Sequence, residues 1–294
     1  MAGHRGPVHV QTADGPAPSN YAKVGPSKAC MGALVSLLAG KVIVISGVGP
    51  GLGRTLALEA AAAGARLVLG ARSEDFLDSV VADVQAQGGS AIALATDVTD
   101  TEQCRALVSA GAKEFGGIDG LVNSAYIHGD WATVDAADPD KFGAVFDVIC
   151  QGAVRMAQAC LPFMKTAGSG AIVNVSTLST VKPFPGEAMY AAAKGALSAV
   201  TRHMANDYGP MGIRVNALRM GWIGGAPVYA YIDQQVAAGA DREEVISGIT
   251  SRIPIREIPP EVDCARAVLM FLSDYARVVS GASVDVNGGE YMAP

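Results

Sequence analysis

Short apolar runs alternate with longer amphipathic segments from residue 41 to the end of the chain. The runs are hydrophobic throughout, which is typical of parallel strands that helices cover on both faces. They predict strands at 41–46, 66–70, 90–95, 119–123, 170–176, 213–218 and 282–286. The amphipathic segments predict helices at 51–64, 74–87, 100–115, 138–166, 188–209 and 261–273. A single α/β domain is therefore predicted, with a doubly wound sheet of about seven parallel strands.

Two segments interrupt the alternation, and the first is at the N-terminus. Residues 1–39 are rich in Gly, Pro and Ala and lack periodicity up to a short apolar patch at 29–39. A signal peptide is disfavoured, because the polar region before the patch is long and the patch is short. The pattern predicts an N-terminal arm, flexible or packed on the body, followed by the domain at 40–294.

The second interruption, at about 222–256, begins with aromatic and apolar residues after a cluster of glycines. Gly221, Gly224 and Gly225 provide hinge positions, so this segment is predicted to be a helical lid over an apolar substrate. Burial against the body, or a subunit contact, is the alternative explanation. Apart from Arg219, just before the segment, no basic residue is placed to meet a strongly anionic substrate.

The composition excludes several classes of function. Half of the 294 residues are hydrophobic and 17% are charged, with a net charge of −6, which argues against nucleic-acid or anionic-membrane surfaces. No apolar run approaches the ~20 residues of a membrane span. The five cysteines are scattered without C-x-x-C spacing and the four histidines form no cluster, so neither a metal site nor a disulfide framework is predicted. A cytoplasmic protein is expected.

The apolar run at 41–46 leads directly into a glycine-rich turn and then into an alanine- and leucine-rich helix. Glycine permits a close approach of the backbone to a pyrophosphate, and the helix N-terminus offers unpaired N–H groups. This order of strand, turn and helix predicts a Rossmann-type dinucleotide site. The turn residues assigned to the cofactor are Gly47, Gly49, Gly51, Leu52 and Gly53.

The end of the second strand indicates which dinucleotide binds. No acidic residue precedes Glu74 there, and Arg72 is placed to bind a 2′-phosphate, so NADP(H) is favoured and NAD(H) is the alternative. Pro50 stands where a second basic residue is common in NADP sites, which weakens this preference. Asp97 and Val98 follow the third strand and are predicted to contact the adenine, a helix cap being the alternative for Asp97.

Tyr190 and Lys194 form a Y-x-x-x-K motif in the predicted helix 188–209. Residues four apart share one helix face, so the ammonium group lies near the phenol. A free phenol has a pKa near 10, and a nearby cation lowers it towards the range where the phenol is an effective acid–base. The pair therefore predicts acid–base chemistry beside the dinucleotide.

At this point the sequence resembles the short-chain dehydrogenase/reductase family, in the group with the glycine motif T-G-x-x-x-G-x-G. The resemblance spans Lys41 to about Met292, nearly all of the chain except the arm. It implies that Gly221 and Ile223 lie near the nicotinamide, and that Asn123 and Ala125 bind the cofactor within an element that braces the sheet and lines the cofactor cleft. The matching residues are Gly47, Gly51 and Gly53 of the turn, Asn123 and Ala125 after the fourth strand, the catalytic pair Tyr190 and Lys194, and Asn216, Gly221 and Ile223 near the sixth strand.

Two positions depart from the family pattern. The catalytic Ser of the family commonly lies thirteen residues before the Tyr, where this chain has Thr177; Ser176 or Ser179 would replace it if the register shifts. The Asn of the family's D-V-N-x-x-G segment is Ile149, which cannot hydrogen-bond. By the resemblance, that Asn holds a water linking the Lys to solvent, so an altered proton relay is expected.

The loop after the fourth strand contains His128, Asp130 and Trp131. These residues either edge the pocket or lie in an ordinary surface loop, and the second interpretation is favoured for His128.

The resemblance implies an NAD(P)-dependent oxidoreductase that interconverts a secondary alcohol and a ketone on a mainly apolar substrate. Tyr190 would be the acid–base, Lys194 would lower its pKa and hold the nicotinamide ribose, and Thr177 would orient the carbonyl oxygen. Tyr190 and Lys194 are thus also assigned to cofactor binding. A homotetramer or dimer through helices 138–166 and 188–209 is also implied. Two alternatives stay open, namely a nucleotide-binding regulatory or structural protein with a degenerate site and a non-redox lyase on the same fold.

Overall fold

The computed structural model describes residues 37–293. Most of the predicted arm at 1–39 therefore lies outside the described residues. At its end, Leu38 is fully buried in the core, and its backbone N–H donates to the carbonyl of Ala63 at 2.9 Å. The described part of the domain thus begins at a turn that is anchored to the body.

Seven parallel strands form one sheet in the order β3-β2-β1-β4-β5-β6-β7, which confirms the predicted doubly wound class. Each strand falls within two residues of its predicted limits, and the largest difference is in β6, which runs two residues further than predicted. The strands are β1 (Val42–Ser46), β2 (Arg66–Ala71), β3 (Ser90–Ala95), β4 (Gly120–Asn123), β5 (Gly170–Thr177), β6 (Ile213–Met220) and β7 (Ser283–Val286).

Helices cover both faces of this sheet because its strands are apolar on both sides. One apolar layer packs α1, α2 and α9 against the sheet, and a second packs α3, α5 and α6 against the opposite face. The helices are α1 (Leu52–Ala62), α2 (Glu74–Ala86), α3 (Thr101–Phe115), α4 (Phe142–Phe146), α5 (Gly152–Ala167), α6 (Ala188–Tyr208), α7 (Ala226–Ala237), α8 (Arg242–Thr250) and α9 (Glu261–Leu272).

The predicted continuous helix 138–166 is interrupted. A short 3₁₀ turn at Pro139–Lys141 precedes α4, and a π-helical turn at Asp147–Gln151 separates α4 from α5. Across this turn, the guanidinium of Arg155 lies 2.7 Å from the Asp147 carboxylate. The stretch Pro139–Ala167 is long and apolar enough to cross a membrane. Half of its most apolar part is buried within the protein, however, as in the core helix of a globular domain.

The strand order reverses between β1 and β4, because β2 and β3 extend the sheet in one direction and β4 to β7 in the other. In such sheets, the carboxyl ends of the strands at the reversal open a crevice where ligands bind. The predicted insertion forms α7 and α8 next to this crevice, around a small apolar cluster of Ile232, Ile249 and Ile253. Residues of α7, within the segment predicted to be a lid, line the cleft at this point.

Candidate active site

A cleft of about 1650 Å³ lies at the carboxyl ends of the central strands. It extends from the glycine turn after β1 to the lid helix α7, a length that suits a dinucleotide together with a small substrate. The predicted cofactor residues that line it are Gly47, Gly49, Gly51, Leu52, Gly53, Arg72, Asp97, Val98, Ala125, Gly221 and Ile223, and the predicted catalytic residues Thr177, Tyr190 and Lys194 line it as well.

The glycine turn is packed so closely that side chains are excluded at two of its positions. A Cβ added at Gly47 would lie 2.2 Å from the backbone nitrogen of Ala125, and Gly47 has a φ of +84°. A Cβ at Gly53 would lie 2.5 Å from the carbonyl oxygen of Gly47. Both contacts are with backbone, so neither can be relieved by a side-chain rotation.

Gly49 faces open space instead, since a Cβ added there meets no atom within 4 Å. Helix α1 begins next to it, and its N-cap residue Gly51 makes no side-chain hydrogen bond to the first turn. Within that turn, the N–H of Arg54 donates to the carbonyl of Gly49 at 3.1 Å, and the N–H groups of Leu52 and Gly53 are left to bind an anion. The turn therefore fits the pyrophosphate of a dinucleotide.

Arg72 and Asp97 line the end of the cleft next to β2 and β3, where the sequence predicts the adenosine. Arg72 is exposed after β2, and it forms none of the ion pairs found among residues 37–293. The Asp97 carboxylate accepts hydrogen bonds from the N–H and hydroxyl of Thr99, which hold its pKa below the usual value. Val98 packs against Gly152 at the start of α5.

Asn123 was predicted to contact the cofactor, but its side chain is buried away from the cleft wall. Its amide nitrogen donates to the Asn174 side chain at 2.9 Å and to the Ala153 carbonyl at 3.3 Å. Its amide oxygen accepts from the Ser46 hydroxyl at 3.2 Å. Both the amide nitrogen and the amide oxygen of Asn123 are thus engaged in hydrogen bonds within the protein. Asn123 therefore braces β1, β4 and β5 instead of binding a ligand.

Thr177, Tyr190 and Lys194 meet in the middle of the cleft. Thr177 is the last residue of β5, and the other two are on the first turns of α6. Lys194 is 1% exposed and donates from Nζ to the carbonyl of Val175 at 2.5 Å, and its Nζ lies 5.7 Å from the centroid of the Tyr190 ring. The structure thus brings together the three side chains assigned to catalysis.

The electrostatics of this group differ from the expectation that Lys194 lowers the phenol pKa. Burial raises the pKa of the Tyr190 phenol above its ordinary value, and the neighbouring Tyr126 adds to the increase. A hydrogen bond between Thr177 and the phenol has the opposite, smaller effect on the Tyr190 pKa. Burial also lowers the pKa of Lys194 to about 7, so this side chain holds its positive charge less firmly than an exposed lysine.

Thr177 continues into a chain of hydrogen bonds that ends at an acidic residue. Its Oγ1 lies 3.2 Å from the Ser179 hydroxyl, which donates to the carboxylate of Glu187. Burial raises the pKa of Glu187. Sequence reasoning missed Glu187, although its position three residues before Tyr190 places it at the start of the same helix.

An aromatic wall, formed by Tyr126, His128 and Trp131, stands beside the phenol. The His128 ring centroid lies 4.6 Å from that of Tyr190 and 4.3 Å from that of Trp131, and Tyr126 lies 5.9 Å from Tyr190. Burial and, to a smaller extent, the charge of Lys194 lower the pKa of His128, which favours the neutral imidazole. The favoured assignment of His128 to an ordinary surface loop is therefore wrong.

Ile149 lies in the π-helical turn, behind the catalytic group. It is fully buried against Val145, Met189 and Ala193, in an apolar cluster that also contacts Tyr190. Its side chain offers no donor or acceptor where the family pattern has an amide. The apolar replacement is thus accommodated by packing around the base of α6.

The lid contributes aromatic and apolar side chains, and also one cation that the sequence did not indicate. Trp222 and Tyr231 line the cleft with ring centroids 5.7 Å apart. Arg252 lines it too, 6.0 Å from the Trp222 ring. Arg219, the residue considered for an anionic substrate, instead forms a bidentate pair with Asp285 at 2.8 and 2.9 Å. The basic residue at the substrate end is therefore Arg252.

Comparisons with known proteins agree with this geometry. Residues 47–290 match a family model described as "Enoyl-(Acyl carrier protein) reductase". An uncharacterised oxidoreductase of Methylorubrum extorquens is 33% identical over 87% of this chain and 99% of its own length. A 2,5-dichloro-2,5-cyclohexadiene-1,4-diol dehydrogenase of Sphingobium indicum is 31% identical over 87% of this chain and 98% of its own.

Solved structures with the same fold include levodione reductase, at 30% identity and a TM-score of 0.79 over 86% of this chain and 98% of that one. NAD⁺-bound xylitol dehydrogenase has a TM-score of 0.79 at 29% identity, over 86% and 99% of the two chains. The chain belongs to the short-chain dehydrogenase/reductase family of NAD(P)-dependent oxidoreductases.

Proposed function

We propose that this protein interconverts a secondary alcohol and a ketone, with Tyr190 as the acid–base. The observation that carries this proposal is the meeting of Thr177, Tyr190 and Lys194 in one cleft with the glycine turn. A phenol, a hydroxyl and an ammonium group that converge beside a dinucleotide site can bind and protonate a carbonyl oxygen.

The glycine turn and the N-terminus of α1 would hold the pyrophosphate, and Gly221 and Ile223 would lie near the nicotinamide. The bound nicotinamide supplies or accepts the hydride. During reduction, the carbonyl carbon gains a hydride and the carbonyl oxygen gains a proton from Tyr190. Thr177 fixes that oxygen, and Lys194 helps to return a proton to the phenolate. In the oxidation direction, the hydride and the proton are both removed from the alcohol.

A mainly apolar substrate fits the lining of this part of the cleft. The aromatic wall and the lid residues Trp222, Val228 and Tyr231 offer large apolar surfaces. Arg252 and Glu187 add one cation and one acid at its edges, so a substrate with a polar substituent is accommodated as well.

NADP(H) is the cofactor that we favour, with NAD(H) as the alternative. Arg72 is exposed at the adenosine end, where a guanidinium suits a 2′-phosphate. NAD⁺-bound xylitol dehydrogenase has the same fold, which keeps the alternative open. A cytoplasmic homotetramer or dimer, paired through α5 and α6, completes the proposal; light scattering of the purified protein tests its size.

A dehydrogenase screen tests the proposed reaction. Reduced and oxidised forms of both cofactors are offered with apolar cyclic, aryl and acyl ketones and with the matching alcohols, and absorbance at the reduced-nicotinamide band is followed. We expect turnover of at least one ketone–alcohol pair. Cofactor binding without turnover would favour a regulatory protein, and product formation without an absorbance change would favour a lyase.

A further inference from the structure

Glu187 lies at the N-cap of α6, the helix that carries Tyr190 and Lys194. Its side chain makes no capping hydrogen bond to the first turn of α6. Instead it accepts a hydrogen bond from the Ser179 hydroxyl, and both residues line the cleft. Glu187 forms none of the ion pairs found within residues 37–293, and Lys182, in the same loop, pairs with Glu290. Its carboxyl can therefore influence the hydrogen bonds of Ser179 and, through them, those of Thr177.

The number of protons in this hydrogen-bonded chain fixes its direction. Thr177 and Ser179 have one hydroxyl proton each, and a carboxylate has none. When Glu187 is ionised, Ser179 must donate to it, so the contact of 3.2 Å between the two hydroxyls requires Thr177 to be the donor. The Thr177 proton then points away from the substrate oxygen.

Protonation of Glu187 reverses this order. The carboxyl donates to Ser179, Ser179 donates to Thr177, and the Thr177 proton is free to bind a ketone oxygen. Thr177 Oγ1 already accepts from the N–H of Ser179 at 3.3 Å, which holds it in place in both states. A ketone oxygen can only accept a hydrogen bond, whereas an alcohol can donate one, so the two states favour different substrates.

We propose that Glu187 is a positioning residue that determines, through Ser179, whether Thr177 donates a hydrogen bond to a ketone or accepts one from an alcohol. This inference rests on the proposed alcohol–ketone reaction. The carboxyl acts at a distance, since its bond is to Ser179 and the hydroxyl that meets the substrate is that of Thr177. The hydrogen-bonded chain therefore links the protonation of a cleft acid to the direction of the reaction.

Other titratable groups face the same region. Tyr190 lies on the same helix and feels the charge of Glu187, and Lys194 lies one turn further along. Tyr126 and His128 approach Tyr190 from the loop after β4. Substitutions of Glu187 and Ser179 leave these four side chains in place. A change in the pH dependence that occurs only in these variants is therefore assigned to the hydrogen bonds that link Glu187, Ser179 and Thr177.

Rate measurements against pH in both directions test the proposal. In the wild type, we expect kcat/KM for ketone reduction to fall about tenfold as Glu187 ionises, which corresponds to the loss of one hydrogen bond. Glu187→Gln keeps a donor towards Ser179, and Ser179→Ala breaks the chain while it keeps the acid. Both variants should lose this tenfold fall. Glu114→Gln, on the exposed side of α3, should behave as the wild type.

Two results would overturn the proposal. If kcat/KM for ketone reduction still falls tenfold with pH in both variants, Glu187 does not orient Thr177. If only Glu187→Gln loses it, the charge acts directly on Tyr190 and the hydrogen-bonded chain is irrelevant.

A second measurement needs no turnover. The carboxyl of Glu187 is titrated by ¹³C NMR, with Glu187→Gln identifying its signal. The hydrogen bond from Ser179 lowers the Glu187 pKa, so Ser179→Ala should raise it further. An unchanged titration would refute the chain. If no ketone is reduced, the proposed alcohol–ketone reaction is wrong. The titration still shows, without any turnover, whether Ser179 is hydrogen-bonded to Glu187.

Discussion

The two ends of the cleft are built in different ways. At the cofactor end, the contacts that decide the shape join backbone to backbone, as between Gly47 and Ala125. At the substrate end, the shape is set by side chains from the loop after β4, from α6 and from the lid. A backbone cradle tolerates few substitutions, whereas a side-chain wall can change with little effect on the fold. Cofactor binding and substrate choice can thus vary separately.

The variant Tyr190→Phe should separate the two ends most clearly, because it should change turnover and leave cofactor binding unaffected. Removal of the hydroxyl should lower kcat by about 10³-fold, within the range for general acid–base catalysis. Cofactor affinity should change less than twofold, because the ring stays in place. Steady-state kinetics and fluorescence titration measure the two quantities, and Tyr208→Phe at the far end of α6 is the control. Retained turnover would show that the substrate end does not depend on this phenol.

Lys194 lies where the two ends meet, and its burial predicts a pH-dependent stability. Its pKa falls from 10.5 in the unfolded chain to about 7 in the fold, so the unfolded state binds more protons between these values. The unfolding free energy should therefore rise with pH across this window, by roughly 1.4 kcal/mol per pH unit.

Urea denaturation between pH 7 and 10 measures this slope, with Lys194→Met as the reference because it carries no titrating group. Equal slopes for the two proteins would mean that the ammonium group is better solvated than its burial implies.

The cofactor end can be tested with two glycines of the same turn that differ in backbone conformation and in surroundings. Gly47→Ala should lower the unfolding free energy by roughly 3 kcal/mol, because of the positive φ and the contact with Ala125. Gly49→Ala should leave stability nearly unchanged and weaken dinucleotide binding, since its methyl group enters open cleft. Thermal melts and cofactor titrations separate the two effects. Similar losses of stability would contradict a backbone cradle.

The smallest expected effect concerns Arg72. Arg72→Ala should weaken NADPH binding about tenfold, equivalent to ~1.4 kcal/mol, and leave NADH binding unchanged. Arg54→Ala is a suitable control, because Arg54 pairs with Asp83 at 2.7 Å. An unchanged ratio of the two affinities would remove the support for NADP(H).

The order and type of the elements could be predicted from the sequence, because apolar runs and glycine turns are local signals. The same holds for Tyr190 and Lys194, which four-residue spacing places on one helix face. Glu187 and Arg252 could not be found in this way, and His128 could not be assigned to the pocket rather than to a surface loop. Each meets the site through a loop or an insertion whose path depends on tertiary packing, and no local pattern marks it.

The direction of the Asn123 side chain and the pKa of the Tyr190 phenol could not be predicted from the sequence for a related reason. The family pattern names a residue type at a position, but the direction of its side chain and its loss of solvent depend on the neighbours in the fold. Asn123 bonds to Asn174 and Ala153 inside the sheet. For Tyr190, burial has a larger effect on the pKa than any single charge.

The π-helical turn at Asp147–Gln151 has a consequence for engineering the substrate end. One extra residue in a helix rotates everything after it by about 100°. Ile149 and Gly152 thus keep their contacts with α6 and Val98 only while this residue count is preserved. Removal of a single residue here would turn the whole of α5 about its axis. Grafts between related enzymes should therefore be aligned by helical phase across this turn, and not by sequence identity alone.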